Sequence, residues 1–397
     1  KPVADVFASF DDAAIAAASI AQVHKATTAE GDTVAVKILR PGIEAAFARD
    51  LDLARWTAER VESLRPELRR LRPVDAVDTI IRSVEIEMDL RFEAAAADEL
   101  RQNFEGDPTF SVPAVDWLRT GRRVMTTAWL DAVPMNELDV AASDIDRETV
   151  VANFARAFFL QVFRDGFFHA DLHPGNIFVA DDGVIHAVDF GIMGRLDRRT
   201  RQYLAEMLHG FLTGDYKRVA DVHIRAGYVP ADQSADEFAQ AARSIAEPIL
   251  GLPLSEISLA KLLAQLFAVT GKFKMQAQPQ LLLLQKTMLV AEGAGRQLYP
   301  DINMWELARP LIEDWMIEHM GPEAQMREAA EDMLGTLERL PQLIADMEES
   351  IGSAARDGLR LDPATLESFA RGQRRGGTWR IWALAAAAAV LAVAIFD

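Results

Sequence analysis

Apolar and polar positions change period several times along the chain, and each change marks an element. Residues 1 to 50 read as strand-rich. Ala16 to Ala26 leads into a Glu30-Gly31-Asp32 turn and then Val34-Ala35-Val36-Lys37, the layout of a hairpin. From Ile43 the spacing turns helical through Leu51, Leu53 and Trp56 into an arginine-rich stretch at Arg65, Arg69, Arg70 and Arg72. That charge run reads as a solvated face, with membrane or partner contact as the alternative. A second helix is predicted from about Asp75 to Leu100, carrying Glu87, Asp89 and Glu93.

Pro108, Pro113 and Gly121 punctuate short strands that end at Arg123-Val124-Met125, and Thr126 to Pro134 reads as a hinge between a small mixed lobe and a larger helical one. Arg147 to Arg164 has an apolar helical face formed by Val151, Phe154, Phe158 and Val162. Ile177-Phe178-Val179 and Val184 to Val188 flank Asp181-Asp182-Gly183, which has the Asp-Gly signature of a hairpin turn. After Asp189 the pattern is almost wholly helical to about residue 370, broken near Pro230, Pro253, Pro279, Pro310, Gly321 and Pro341. Gln280 to Leu284 is a buried-helix candidate.

The last segment differs in kind. Arg371, Arg374, Arg375 and Arg380 precede Ile381 to Phe396, an uncharged run of 16 residues with Trp379 and Trp382 at its start. A full span takes about 20 apolar residues, so the run is short for one. Tryptophans at one end with arginines behind them fit a membrane anchor whose basic side is cytoplasmic. The organisation expected is α+β with two lobes: residues 1–130, then 131–300, a helical extension over 301–378 and an anchor over 379–397.

Composition narrows the function classes. Half of the 397 residues are hydrophobic and 26% are charged, which permits real cores and carries no disorder signature. The formal net charge of -18 argues against a nucleic-acid partner, which needs a basic face. With no cysteine, disulfides, thiolate metal sites and cysteine nucleophiles are excluded. The chain starts at Lys1, and its N-terminus reads as cut into an existing domain.

The chemistry concentrates in His169-Ala170-Asp171-Leu172-His173-Pro174-Gly175-Asn176 and in Asp189-Phe190-Gly191. Phosphoryl transfer asks for an Asp that orients the acceptor, an Asn five residues later for one Mg²⁺, and the Asp of Asp-Phe-Gly for the metal that bridges the phosphates. Asp171, Asn176 and Asp189 stand at those spacings. His169 and His173 are four residues apart, but Pro174-Gly175 breaks any helix that would bring both imidazoles to one metal. Upstream, Lys37 sits where a strand lysine binds phosphate, and Glu93 is the helix acid chosen to hold it. Before Val23, the three positions where a nucleotide-covering loop has glycine are Ala16, Ala18 and Ala21. Ala16, Ala17, Ala18, Ser19, Ile20, Ala21, Gln22 and Val23 are therefore the candidate nucleotide-covering residues, with Ser19 and Gln22 as possible phosphate donors. ATP would lie under the hinge. Glu87 and Asp89, two apart, fall on different faces of a regular helix.

Five stretches together resemble the UbiB (AarF) family of atypical kinase-like proteins: the alanine-rich loop Ala16 to His24, Val34 to Gly42, Glu87 to Ala94, Phe168 to Asn176 and Val188 to Gly191. The resemblance continues through Glu292-Gly293-Ala294-Gly295-Arg296-Gln297-Leu298-Tyr299-Pro300 to the basic, apolar tail. It implies a protein-kinase-like fold, Mg²⁺-dependent ATP or ADP binding, and support of ubiquinone biosynthesis at the cytoplasmic face of the bacterial inner membrane. Partners implied are nucleotide, membrane lipid or polyprenyl-phenol intermediates, and other ubiquinone-biosynthesis proteins. Carried over by motif, Lys37 binds nucleotide phosphate, Glu93 pairs with it, Asp171 is the catalytic acid, and Asn176 and Asp189 hold metal. The family's upstream Lys-x-Gly-Gln motif is not in this sequence. Members are often named 2-polyprenylphenol hydroxylases, yet no flavin fingerprint or iron triad is seen here. Two other readings stay open: a nucleotide-gated membrane scaffold for quinone-biosynthesis enzymes, and an aminoglycoside- or choline-type phosphotransferase, whose loop is similar.

Overall fold

The structure is a computed structural model that describes residues 2–17, 20–64, 73–138, 145–248, 269, 271–275, 279–299 and 304–320. Its N-terminal part is built on an antiparallel sheet of β1 (Phe7–Phe10), β2 (Ala16–Ala17), β3 (Ala21–Thr28), β4 (Thr33–Leu39) and a later strand, β6 (Val124–Ala128). β3 and β4 form the expected hairpin in the register Val23↔Lys37, closed by a turn at Gly31, whose φ of 101° suits glycine. β4 is central, paired with β3 on one side and with β6 on the other, where Lys37 lies opposite Met125. Alternation buries Val34, Val36 and Leu39 on different sides of this small sheet and leaves Lys37 pointing at the rest of the molecule.

Two expected boundaries move. β6 runs on to Ala128, so Thr126 and Thr127 belong to the sheet and not to the hinge, which shrinks to the residues before β7 (Val133–Pro134). Thr126 is fully buried, its hydroxyl donating to the Arg119 carbonyl, and pairing of Thr127 with Ala35 and of Ala128 with Val34 carries the strand on. The single helix expected from Asp75 to Leu100 is two, α2 (Pro73–Glu87) and α3 (Leu90–Asn103), packed after α1 (Ile43–Leu64). Asp89 breaks the run because it leaves the helical conformation to cap α3, accepting from the Arg91 amide. The cap puts Glu93 in the first turn of a new helix.

The larger part starts with α4 (Arg147–Phe159), extended by a π-helical segment, Leu160–Asp165. Val151, Phe154, Phe158 and Val162 are all buried, as their spacing requires. The chain then enters β8 (Phe167–His169), the hairpin β9 (Ile177–Val179) and β10 (Ile185–Ala187), and β11 (Met193–Arg195), which pairs back with β8. β11 is a strand in the stretch after Asp189 that the pattern reads as almost wholly helical. Gly194 allows it: a methyl group there would sit inside the Phe168 ring. β5 (Phe110–Ser111) and β7 complete the hairpin's sheet.

Among the described residues five further helices follow, α5 (Arg198–Thr213), α6 (Tyr216–Arg225), α7 (Ala235–Ala246), α8 (Pro279–Leu298) and α9 (Met304–Met320). Ile312 and Trp315 of α9 share one core with Phe158, Phe163 and Leu172, so this helix, placed by the sequence in an extension, is built into the same unit as the loop 169–176. The arginines at 65, 69, 70 and 72 and the tail 379–397 lie outside the described residues. Among the described residues no helix is long and apolar enough to cross a membrane.

Candidate active site

Lys37 is the meeting point of three segments remote in sequence. Its Nζ donates to Glu93 Oε1 at 2.6 Å and to Asp189 Oδ1 at 2.9 Å, joining β4, α3 and the turn after β10. The Glu93 side chain is 9% exposed and that of Lys37 16%, so the pair is largely out of water. Burial opposes the charge on Lys37, but Glu93 and then Asp189 outweigh it and hold the ammonium protonated above its usual range. Burial pushes the Glu93 carboxyl upward, with Lys37 as the main opposing influence. Burial would raise Asp189 too, but Lys37 overcomes it and keeps that carboxyl below the usual range. Asp189 has φ 64°, rare for a residue with a side chain.

The loop 169–176 is organised by His169. Its ring is fully buried against Phe190, with centroids 5.4 Å apart. The Asp171 amide must be the donor to Nδ1 at 3.1 Å, which leaves the ring proton on Nε2 to donate to the Val188 carbonyl at 3.0 Å. Burial keeps this imidazole neutral. His169 therefore ties the loop to the segment that carries Asp189, and a metal on either ring nitrogen would displace the partner that nitrogen now has. Asn176 Nδ2 donates to the Asp171 carbonyl at 3.2 Å, and the backbone amides of His173 and Asn176 close two turns in between.

Two cavities meet at Lys37, Glu93, Asp189 and Phe190. One, of about 370 Å³, has Ala16, Ala17, Ala21, Val23 and Ala35 on the side of the small sheet, and His173, Asn176, Phe178 and Val188 opposite. Small apolar groups on both walls and charged groups at one end suit a flat base with a polyphosphate tail. The other, of about 600 Å³, reaches from Asp171 and Asp189 past Ile20 to Glu87, Asp89 and Phe92.

The candidate nucleotide-covering residues thus separate. Ala16, Ala17, Ala21 and Val23 line the smaller cleft, and Ile20 lines the larger one. Gln22 lines neither, because strand alternation turns it away from the face that Ala21 and Val23 share. Ala18 and Ser19 lie outside the described residues. Asp89 does not chelate with Glu87: both its carboxylate oxygens bind Arg91, at 2.9 and 2.6 Å.

A divalent cation fits the donors that face the smaller cleft. Asn176 has its amide nitrogen committed to the Asp171 carbonyl, which leaves its oxygen for a ligand, and Asp189 accepts from Lys37 through Oδ1 with its charge kept. Two hard oxygen donors are what Mg²⁺ takes from a protein when waters and phosphate supply the rest. Among the described residues no group of three or more His, Asp or Glu forms a metal cage of its own.

One residue that the sequence did not mark is Lys286 of α8, whose Nζ lies 2.9 Å from Asp171 Oδ1. The two are 115 positions apart. No motif spacing points from one to the other.

Comparison with known proteins agrees with this architecture. Residues 1–223 match the ABC1 atypical kinase-like domain, and residues 242–303 match the UbiB helical domain. The chain belongs to the UbiB family. It is 42% identical over 354 residues to the probable protein kinase UbiB of Marinobacter nauticus, covering 87% of this chain and 64% of that protein. Its identity to the same-named protein of Aeromonas salmonicida is 38% over 401 residues, covering 100% of this chain and 73% of the relative. The chain thus spans 64% of the length of the first of these UbiB relatives. Among solved structures, Rv3197 of Mycobacterium tuberculosis in complex with erythromycin superposes with a TM-score of 0.61 at 25% identity, over 79% of each chain. The fold is kinase-like.

Proposed function

We propose that this UbiB-family chain is a Mg²⁺-dependent, ATP-binding atypical kinase or ATPase that supports ubiquinone biosynthesis at the bacterial inner membrane, with its catalytic part on the cytoplasmic side. The observation that carries the reading is the convergence of Lys37, Glu93 and Asp189 at the charged end of a cleft that Asn176 also lines. The phosphoryl acceptor is water or a small lipid-like molecule such as a polyprenyl-phenol. An apolar, acid-rimmed cavity open to Asp171 supports that acceptor class. The family name supports the quinone pathway and, through it, association with other enzymes of that pathway.

In the reaction, Lys37 holds phosphate oxygens while Glu93 holds Lys37. Asp171 orients the acceptor hydroxyl or water and takes its proton as the acceptor oxygen bonds to the γ-phosphorus; the bond from that phosphorus to the bridging oxygen breaks and ADP leaves. Asn176 and Asp189 would hold Mg²⁺, which would supply neutralisation of the charge developing on the phosphates. Buried His169 keeps the Asp171 backbone in place throughout.

The test is ADP release by the chain with and without Mg²⁺, anionic liposomes and a polyprenyl-phenol mimic, beside Asp189→Asn. Metal-dependent release that disappears in the variant supports the reading. Tight nucleotide binding with no turnover under every condition would replace it with a nucleotide-gated scaffold.

A further inference from the structure

The acid of the loop 169–176 has a charged partner from outside the kinase-like domain. Lys286 belongs to α8, inside the stretch that matches the UbiB helical domain, and its Nζ lies 2.9 Å from Asp171 Oδ1. Leu284, Ala291, Ala294 and Leu298 bury one face of α8 in the main core. With that face fixed, Leu282, Lys286 and Leu289 come to the exposed side at helical spacing. The lysine side chain is 52% exposed and that of Asp171 29%. An ion pair this wet contributes little to stability, so holding α8 in place does not account for it. The core residues of α8 already do that.

Asp171 is left half-occupied by this contact. Oδ1 takes Lys286, and among the described residues Oδ2 has no protein donor. Both loop carboxylates of the site therefore hold a lysine, Asp189 the strand residue Lys37, which Glu93 also holds, and Asp171 the helical-domain residue Lys286. A carboxylate anchored through one oxygen offers the other in a fixed direction, the geometry that orienting an acceptor requires.

We propose that Lys286 is a positioning residue for phosphoryl transfer: it fixes the Asp171 carboxylate through Oδ1 and presents Oδ2 to the acceptor, making the helical domain part of the active site. The proposal rests on the phosphoryl-transfer reading above. The proton from the acceptor goes to Asp171 while Lys286 stays charged, so its role is orientation and charge balance and not proton transfer. Residues 1–223 alone would then hold nucleotide but lack a set catalytic acid.

The experiment uses the whole 397-residue chain. Steady-state ADP release, calorimetric nucleotide binding and melting temperature are compared for the unaltered chain, Lys286→Ala, Lys286→Gln, Lys286→Arg, Asp171→Asn and the Lys286→Ala/Asp171→Asn double variant. Expected is a fall in kcat of roughly tenfold or more for Lys286→Ala and Lys286→Gln, with KM and nucleotide affinity within about twofold and the melting temperature unmoved. Lys286→Arg recovers most of the loss, and adding Lys286→Ala to Asp171→Asn costs nothing further. Turnover by the unaltered chain that survives Lys286→Ala overturns this inference and leaves the phosphoryl-transfer reading standing. No turnover by the unaltered chain overturns both.

Discussion

Lys37 Nζ donates to Asp189 Oδ1 across 2.9 Å, so the residue proposed to carry metal is held by the residue proposed to carry phosphate. The bond restrains Asp189 at φ 64°, a conformation that costs on the order of 1–2 kcal/mol for most residues with a side chain. A nucleotide with its metal would insert between these two charges. In the proposed function, the contact marks the place where the phosphates would go.

Asp189→Asn should therefore separate chemistry from folding. Asparagine tolerates positive φ and still accepts from Lys37, so the fold is kept and the melting temperature falls only by what the Asp189 charge contributes. Metal-dependent ADP release should fall by more than about a hundredfold. A variant that melts normally and still releases ADP at the parental rate would remove Asp189 from the metal site.

Lys37→Met should cost stability as well as binding, because it leaves Glu93 buried beside Asp189 with no cation. Removing one partner of a buried pair costs about 3–5 kcal/mol. Adding Glu93→Leu should restore most of that loss in a denaturant titration. Nucleotide binding measured by calorimetry should stay lost in the double variant, which distinguishes a phosphate ligand from a structural cation.

Acid should destabilise the protein in two stages. Buried His169 and His223 are held neutral, with folded values below the ordinary 6.5. Their contribution is present above that value and is lost as pH falls through it toward the folded values, because the unfolded chain takes up the protons first. Asp189, held below the ordinary 3.8, adds a second loss as pH drops below the carboxylate range. Melting temperatures from about pH 8 to pH 3 should be flat at first and then fall from near pH 6.5. Replacing His223 with Leu should flatten the first fall. At the alkaline end the Lys37 contribution should persist past the ordinary 10.5 and be lost as pH rises through its higher folded value.

Asp89→Ala should weaken the start of α3. It removes the cap on the Arg91 amide and both bonds to the Arg91 guanidinium. Loss of a helix N-cap costs about 0.5–2 kcal/mol. Glu93 is in the turn that this cap stabilises, so nucleotide affinity should fall as well, by roughly threefold to tenfold. Unchanged affinity would show that the position of Glu93 is set by Lys37 alone.

Some of this was legible in the sequence because it is local. Hydrophobic period marked the β3–β4 hairpin, the buried face of α4 and the β9–β10 hairpin, since each depends on neighbours within a few positions. The spacing from Asp171 to Asn176 and on to Asp189 follows from one loop and one hairpin, so it was readable as well. The choice of Glu93 over Glu87 and Asp89 as the partner at Lys37 came from motif, and the geometry brings that pair to 2.6 Å. What the tertiary structure alone decided depends on segments that meet only after folding. The break at Asp89 reflects capping and the Arg91 ion pair winning over helical propensity. The sorting of Ala21, Gln22 and Val23 follows from which face of β3 meets the larger part of the molecule. The Lys286–Asp171 contact spans 115 positions and joins two domains, and no local pattern encodes a pair that only the burial of the other face of α8 brings together.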